Sequence, residues 1–154
     1  MKKIFTLLAI IFVSIFSTDS NAQQKKSIDL NWQTDFEHAK ELANSENKNI
    51  LIYFTGYDRM SSYKMLNEDF FYTEKFQKIA HQHFILVRVN TQKREDAISE
   101  EQKSKNITLS KQYNQKVHPT VVLTDAKGKE LGRVESYNYL RDTSKHYELI
   151  ENEY

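Results

Sequence analysis

Ile50-Leu51-Ile52-Tyr53-Phe54 is an unbroken apolar run, preceded by the turn residues Asn44 to Asn49 and followed by Thr55-Gly56. Five residues are too few for a helix, and a strand with one wet face would alternate apolar with polar side chains. The run therefore reads as a strand buried on both faces, the central strand of a sheet that needs cover on either side.

The neighbouring segments supply that cover. Leu30-Asn31-Trp32 is a short apolar-polar-apolar piece, and Thr34-Asp35-Phe36-Glu37 has the capping-box pattern, in which the Thr34 hydroxyl and the Glu37 carboxylate satisfy each other's backbone donors. Phe36, Ala39, Leu42 and Ala43 then share one face of a helix predicted over about residues 35 to 45. Met60 to Leu66 is expected to form a helical turn or two, and Thr73 to cap a helix whose Phe76, Ile79 and Ala80 face the core. Phe84 to Val89 is a second strand, whereas Thr91 to Lys105, rich in charge, reads as a solvated loop or exposed helix. A helix over Ile107 to Tyr113 leads to the strand Thr120 to Thr124. Asp125-Ala126-Lys127-Gly128 turns the chain back along Lys129 to Val134, and Tyr139 to Ile150 is expected to close the chain with a helix whose apolar members include Leu140, Tyr147 and Leu149. This order describes an α/β fold with a mixed central sheet, helices on both faces, and a C-terminal β-hairpin and helix.

With 154 residues, 39% apolar and 28% charged, the chain has the composition of one globular domain. Met1-Lys2-Lys3, the apolar stretch Ile4 to Phe16, and Ser20-Asn21-Ala22 have the pattern of a secretory signal over residues 1–22, cleaved after Ala22; the apolar stretch is too short to span a bilayer. Residues 23–29 read as a polar, flexible tether and residues 30–154 as the domain, which implies a periplasmic or secreted protein of a bacterial envelope with no membrane insertion after cleavage. Removing Lys2, Lys3 and Asp19 from the 22 basic and 21 acidic residues leaves 20 of each. A net charge of zero provides no basic field for a nucleic acid or an anionic lipid surface. The sequence contains no cysteine, so stability must come from the packed core, and neither disulfide exchange nor a cysteine-ligated metal is open to this polypeptide alone.

Three stretches carry a resemblance: Trp32 with the following helix and Asn47-Lys48-Asn49-Ile50; Phe54-Thr55-Gly56-Tyr57-Asp58 after the first long strand; and His118-Pro119-Thr120 before Val121 to Leu131. With the element order, they make residues 30 to 150 resemble the thioredoxin-like superfamily, most closely the exported thioredoxin-like domains related to thiol-disulfide interchange proteins. In such proteins a Cys-x-x-Cys pair opens the helix after the first long strand, where the helix dipole lowers the first thiol's pKa. The resemblance places that pair on Met60 and Tyr63, so the motif reads Met60-Ser61-Ser62-Tyr63. Methionine has no acidic proton, and tyrosine cannot resolve a disulfide. No thiol oxidoreductase activity is expected.

Pro119, the sole proline, opens a strand that otherwise reads as interior, an awkward place for a residue without an N–H. The resemblance implies a cis His118-Pro119 bond and a neighbouring main chain that pairs with an extended client segment by strand addition. The candidate binding face is then Tyr57, Met60, Ser61, Ser62, Tyr63, His118 and Pro119, with a protein or peptide client and no cofactor. Two alternatives belong to other classes. One is a copper or other metal site using the Met60 thioether and the His118 imidazole; the other is a structural subunit with this face buried against a partner. A Ser61 or Ser62 hydrolase with His118 as base lacks an orienting acid and an oxyanion hole. His81-Gln82-His83 places two imidazoles on opposite sides of a helix-to-strand junction, a poor arrangement for a shared ion. Phe70-Phe71-Tyr72 either caps the sheet or extends the groove, and Asn106-Ile107-Thr108 fits the N-glycosylation pattern, a modification not assumed for a chain whose signal looks bacterial.

Overall fold

The computed structural model describes residues 30–56, 61–90 and 98–153. The expected signal peptide, tether, Tyr57, Met60 and residues 91–97 lie outside the described residues.

Strand β2 (Asn49–Thr55) sits in the middle of a five-stranded sheet of order β1-β3-β2-β4-β5. It runs parallel to β3 (Phe84–Asn90), with Leu51 opposite Leu86, and antiparallel to β4 (Thr120–Thr124), with Ile52 opposite Val122. The two-residue β1 (Trp32–Gln33) lies parallel to β3 at one edge, and β5 (Glu130–Glu135) pairs antiparallel with β4 at the other. Side chains alternate across a strand. Ile50, Ile52 and Phe54 thus pack with Phe36, Ala39 and Ala43 of α1 (Phe36–Glu46) and Leu109 of α4 (Glu100–Gln112). On the other face Leu51 and Tyr53 meet α2 (Ser61–Leu66), the π-helical turn Asn67–Phe71, α3 (Glu74–His83) and α5 (Ser144–Glu151). Both faces are dry, as the apolar run requires.

Three local readings need correction. The α1 cap is Asp35, not Thr34: its carboxylate accepts from Glu37 N at 3.0 Å and His38 N at 3.2 Å, while Glu37 reaches Lys40 at 2.7 Å. The Lys105 hydrogen bond to Asp35, at 3.0 Å, holds this carboxyl below its ordinary pKa. Helix α4 begins at Glu100, capped by Ser99, seven residues before the expected start, because its first turns bury almost nothing and are held by ion pairs such as Lys103–Glu100 and Lys105–Glu101. Asn106 in that helix is buried, donating to Asn90 O at 2.7 Å and accepting from Gln102 at 2.9 Å, so its amide is a structural strut. The last helix starts at Ser144, leaving Tyr139 and Leu140 in the preceding loop.

Thr73 caps α3 as expected, accepting from Phe76 N at 3.2 Å. Before it, the π-helical turn turns both Phe70 and Phe71 into the core, while Tyr72 stays exposed. The wider turn brings the two consecutive rings into one cluster, their centroids 5.0 Å apart. Around Phe70 gather Phe76 at 4.7 Å, Tyr147 at 5.0 Å and His146 at 5.2 Å between ring centroids. The Asp125 carboxylate organises the hairpin turn, accepting from Lys127 N and Lys129 N, and Gly128 supplies its positive φ of 86°.

His146 is the acid-sensitive point of this core. Buried between Phe70 and Tyr137, with neither ring nitrogen hydrogen-bonded among the described residues, it has its pKa lowered to about 4 by desolvation, which the Asp142 charge opposes. A base whose folded pKa is depressed stabilises the fold fully above its unfolded pKa near 6.5, and this contribution is lost as pH falls towards about 4. Denaturant unfolding should therefore show a loss of roughly 2–3 kcal/mol from this group between pH 7 and pH 4. His146→Leu should flatten the profile by that amount; an unchanged profile would place the acid sensitivity elsewhere.

Candidate functional site at the end of the central strands

Phe54 opposite Thr120 is the last pair joining β2 to β4. Two residues further along each strand stand Gly56 and His118, so the exit of β2 and the bend before β4 face each other. The His118-Pro119 bond is cis. Pro119 O accepts from Ser136 N at 2.8 Å and Val117 O from the buried Thr120 hydroxyl at 2.7 Å, fixing the bend on both sides. The main chain of His118 makes no hydrogen bond among the described residues.

The first turn of α2 closes the site from the other side. Ser61 is exposed and Ser62 half-buried, but Tyr63 is turned inward into the core. A Cβ on Gly56 would lie 2.2 Å from the Tyr63 hydroxyl oxygen, so the missing side chain of Gly56 is the space that the phenol occupies. Tyr63 is thereby withdrawn from the candidate contact surface, and Pro119 is buried with it. Ser61, Ser62 and His118 remain accessible there. Ser61 Oγ lies 3.3 Å from the Tyr139 hydroxyl, and its only hydrogen-bond partner among the described residues is neither an imidazole nor a carboxylate. A serine hydroxyl without a base is a poor nucleophile. Tyr57 and Met60 fall outside the described residues, and with them the thioether of the metal alternative. At the far end of α3, His81 is exposed and His83 half-buried; among the described residues no group of three His, Asp or Glu is placed to hold a metal.

The loop between β5 and α5 adds what sequence reasoning missed. Tyr139 and Leu140 are 81% and 84% exposed, the barest large apolar side chains among the described residues, and Tyr139 stands beside Ser61. Their position is enforced. Arg141 donates from Nε to Asp69 Oδ2 at 2.8 Å and from its terminal nitrogen to Oδ1 at 2.5 Å, while the Tyr137 hydroxyl donates to Asp69 Oδ2 at 2.7 Å. Desolvation, aided by Asp69, pushes the Tyr137 pKa up, and the Asp69 hydrogen bond does the same for Arg141. Ser136 and Arg141 both adopt left-handed backbone, with φ of 64° and 54°, which bends the loop at either end. The signal was present in Asp142-Thr143-Ser144, since the Asp142 carboxylate accepts from Ser144 N at 2.9 Å and marks the true helix start.

The fold and site place the molecule among the thioredoxin-like proteins. The chain belongs to the thioredoxin-like domain family, which its residues 36–148 match. Over 121 residues, 77% of this chain and 72% of the relative, it is 29% identical to the disulfide bond reductase DsbH of Chlamydia pneumoniae. The solved structure of a DsbH oxidoreductase is similar over 80% of this chain and 86% of that chain, with a TM-score of 0.68 and 26% identity. A thioredoxin from Thermus thermophilus shares the fold, with a TM-score of 0.61 at 16% identity over 81% of this chain and 87% of that one. Unlike a thiol oxidoreductase, this chain has no cysteine with which to exchange a disulfide.

The contact between Gly56 and Tyr63 gives a direct test of this geometry. Gly56→Ala should destabilise the protein by roughly 1–3 kcal/mol through overpacking. In a Tyr63→Phe background, where the nearest atom is gone, the same substitution should cost clearly less, as read from denaturant midpoints. Equal costs in both backgrounds would show that the phenol does not fill this space.

Proposed function

We propose that this chain is an exported, redox-inactive thioredoxin-like protein that binds an extended polypeptide noncovalently at the His118 bend. The observation that carries the reading is the His118 main chain, which has no hydrogen-bond partner among the described residues and lies beyond the last β2–β4 pair. An extended segment can hydrogen-bond to such a main chain without any thiol. Tyr139 and Leu140 support it. A tyrosine and a leucine held bare in water, on a loop clamped by Asp69, offer the kind of preordered apolar contact that dominates recognition surfaces, with little ordering entropy left to lose. The relative named as a disulfide bond reductase acts on a bond found in polypeptides, which points to the same class of client. Export rests on the charged and apolar residues at the start of the sequence and on Ser20-Asn21-Ala22. Among the described residues no helix is long and apolar enough to cross a membrane.

The test uses a reduced, unfolded polypeptide with its thiols blocked by iodoacetamide, its binding followed by fluorescence anisotropy. Tyr139→Ser with Leu140→Ser should weaken binding about tenfold or more, equivalent to about 1.4 kcal/mol. The melting temperature should barely move, since neither side chain is packed. Undiminished affinity in the double variant would overturn the role of this loop, and no binding by the wild type would overturn the function.

A further inference from the structure

An open cavity of about 420 Å³ lies on the α4 side of the His118 bend, lined by Ser110, Lys111, Gln115, Lys116 and His118 together with the exposed Ile107. Among the described residues no carboxylate lines it. Lys40, Lys48, Lys75, Lys103 and Lys105 each meet a glutamate or aspartate, whereas Lys111 and Lys116 have no acidic partner among the described residues. Isolated surface lysines are ordinary; two converging on one cavity with an imidazole are a different arrangement.

The end of a helix normally presents carbonyl oxygens, which repel anions. Here the last turn of α4 has its carbonyls engaged: Leu109 O accepts from Tyr113 N, Lys111 O from Asn114 N and Ser110 O from Gln115 N, with Asn114 in left-handed backbone at φ 48°. The Ser110 hydroxyl donates back to Asn106 O at 2.8 Å. His118 completes the donor set. Its Nδ1 is buried without a partner, and a proton there would be an unsatisfied donor out of reach of water. Two lysines and a histidine line one space beside the bend.

We propose that this cavity takes the carboxylate of an aspartate or glutamate side chain, so that the polypeptide bound at the bend is selected for acidic residues. The assignment of the carboxylate to a polypeptide rests on the function proposed above; the chemistry of the cavity does not. A client segment hydrogen-bonded to the His118 main chain places alternate side chains on either side of the bend. One of those sides holds the lysines. A charge-assisted contact to Lys111, Lys116 or the imidazole N–H then discriminates a carboxylate from its amide isostere, which offers no negative charge.

Two measurements test this separately. In NMR titrations, N-acetylglutamate methylamide should shift the His118 ring resonances saturably in the millimolar range, whereas the glutamine analogue should not, and Lys111→Gln with Lys116→Gln should abolish the response. Absence of saturation, or equal shifts from both compounds, would overturn the site. In the second measurement, two octapeptides of alternating Thr and Val with a central Glu or Gln are compared by anisotropy. The wild type should bind the Glu peptide about tenfold more tightly, and the lysine double variant should bind both alike. Equal binding of the two peptides by the wild type would overturn the acidic preference while leaving polypeptide binding intact. If neither peptide binds but the glutamate derivative still gives its saturable shift, the carboxylate site stands and the polypeptide function falls.

Discussion

Strand β2 has no face to give to water. Its alternate side chains enter two separate clusters, one under α1 and α4 and one under α2, α3 and α5, so every helix is needed to keep this strand dry. Each fully buried Ile, Leu or Phe contributes about 1.5–3 kcal/mol relative to exposure, and the run supplies four of them with Tyr53 besides. The functional consequence is positional. Because the core ends where β2 ends, the last β2–β4 pair fixes the place where Gly56 and His118 face one another at the surface.

The cluster under α2, α3 and α5 also shapes the contact loop. Phe70 and Phe71 both turn inward from the π-helical turn, and that same turn carries Asp69. The Asp69 carboxylate then takes the Tyr137 hydroxyl and the Arg141 fork, pinning the loop on either side of Tyr139 and Leu140. Surface ion pairs taken singly stabilise little. This one gains from its forked geometry and from the phenol sharing the acceptor, and its effect is to hold two left-handed residues and two bare apolar side chains in one arrangement. An aromatic packing problem in the core is thus linked, through one carboxylate, to the shape of the surface.

The sequence announces those features that need a particular residue type or a short periodic pattern. The central strand showed itself through an uninterrupted apolar run, α3 through Thr73, the hairpin through Asp125 and Gly128, and the bend through a proline in an interior strand. Features decided by tertiary partners did not. Helix α4 buries only Asn106 and Leu109, so its apolar periodicity is almost nil and its first turns read as solvated. Thr34 and Asp35 both have capping chemistry, and Lys105, seventy residues away, pairs with the one that caps. Leu140 looks like a core member of an apolar C-terminal segment until Arg141 is seen bound to Asp69. Lys111 and Lys116 are unremarkable in a sequence with 22 basic residues, and gain meaning only when the fold brings them beside His118.

The absence of thiols also differs in character between the two replaced positions. Met60 lies outside the described residues, but Tyr63 is part of the core: its ring packs with the cluster containing Tyr53 and Phe71, and its hydroxyl occupies the space left by Gly56. A cysteine at position 63 would be far smaller than the buried ring, leaving a void of the sort that costs about 3–5 kcal/mol when a large aromatic is truncated. Such a loss is a large fraction of the net stability of a domain this size. The side chain that the resemblance sets in the place of a resolving thiol packs in the core beside Gly56. Position 63 of α2 is thus filled by a buried ring packed against Gly56 at the exit of β2.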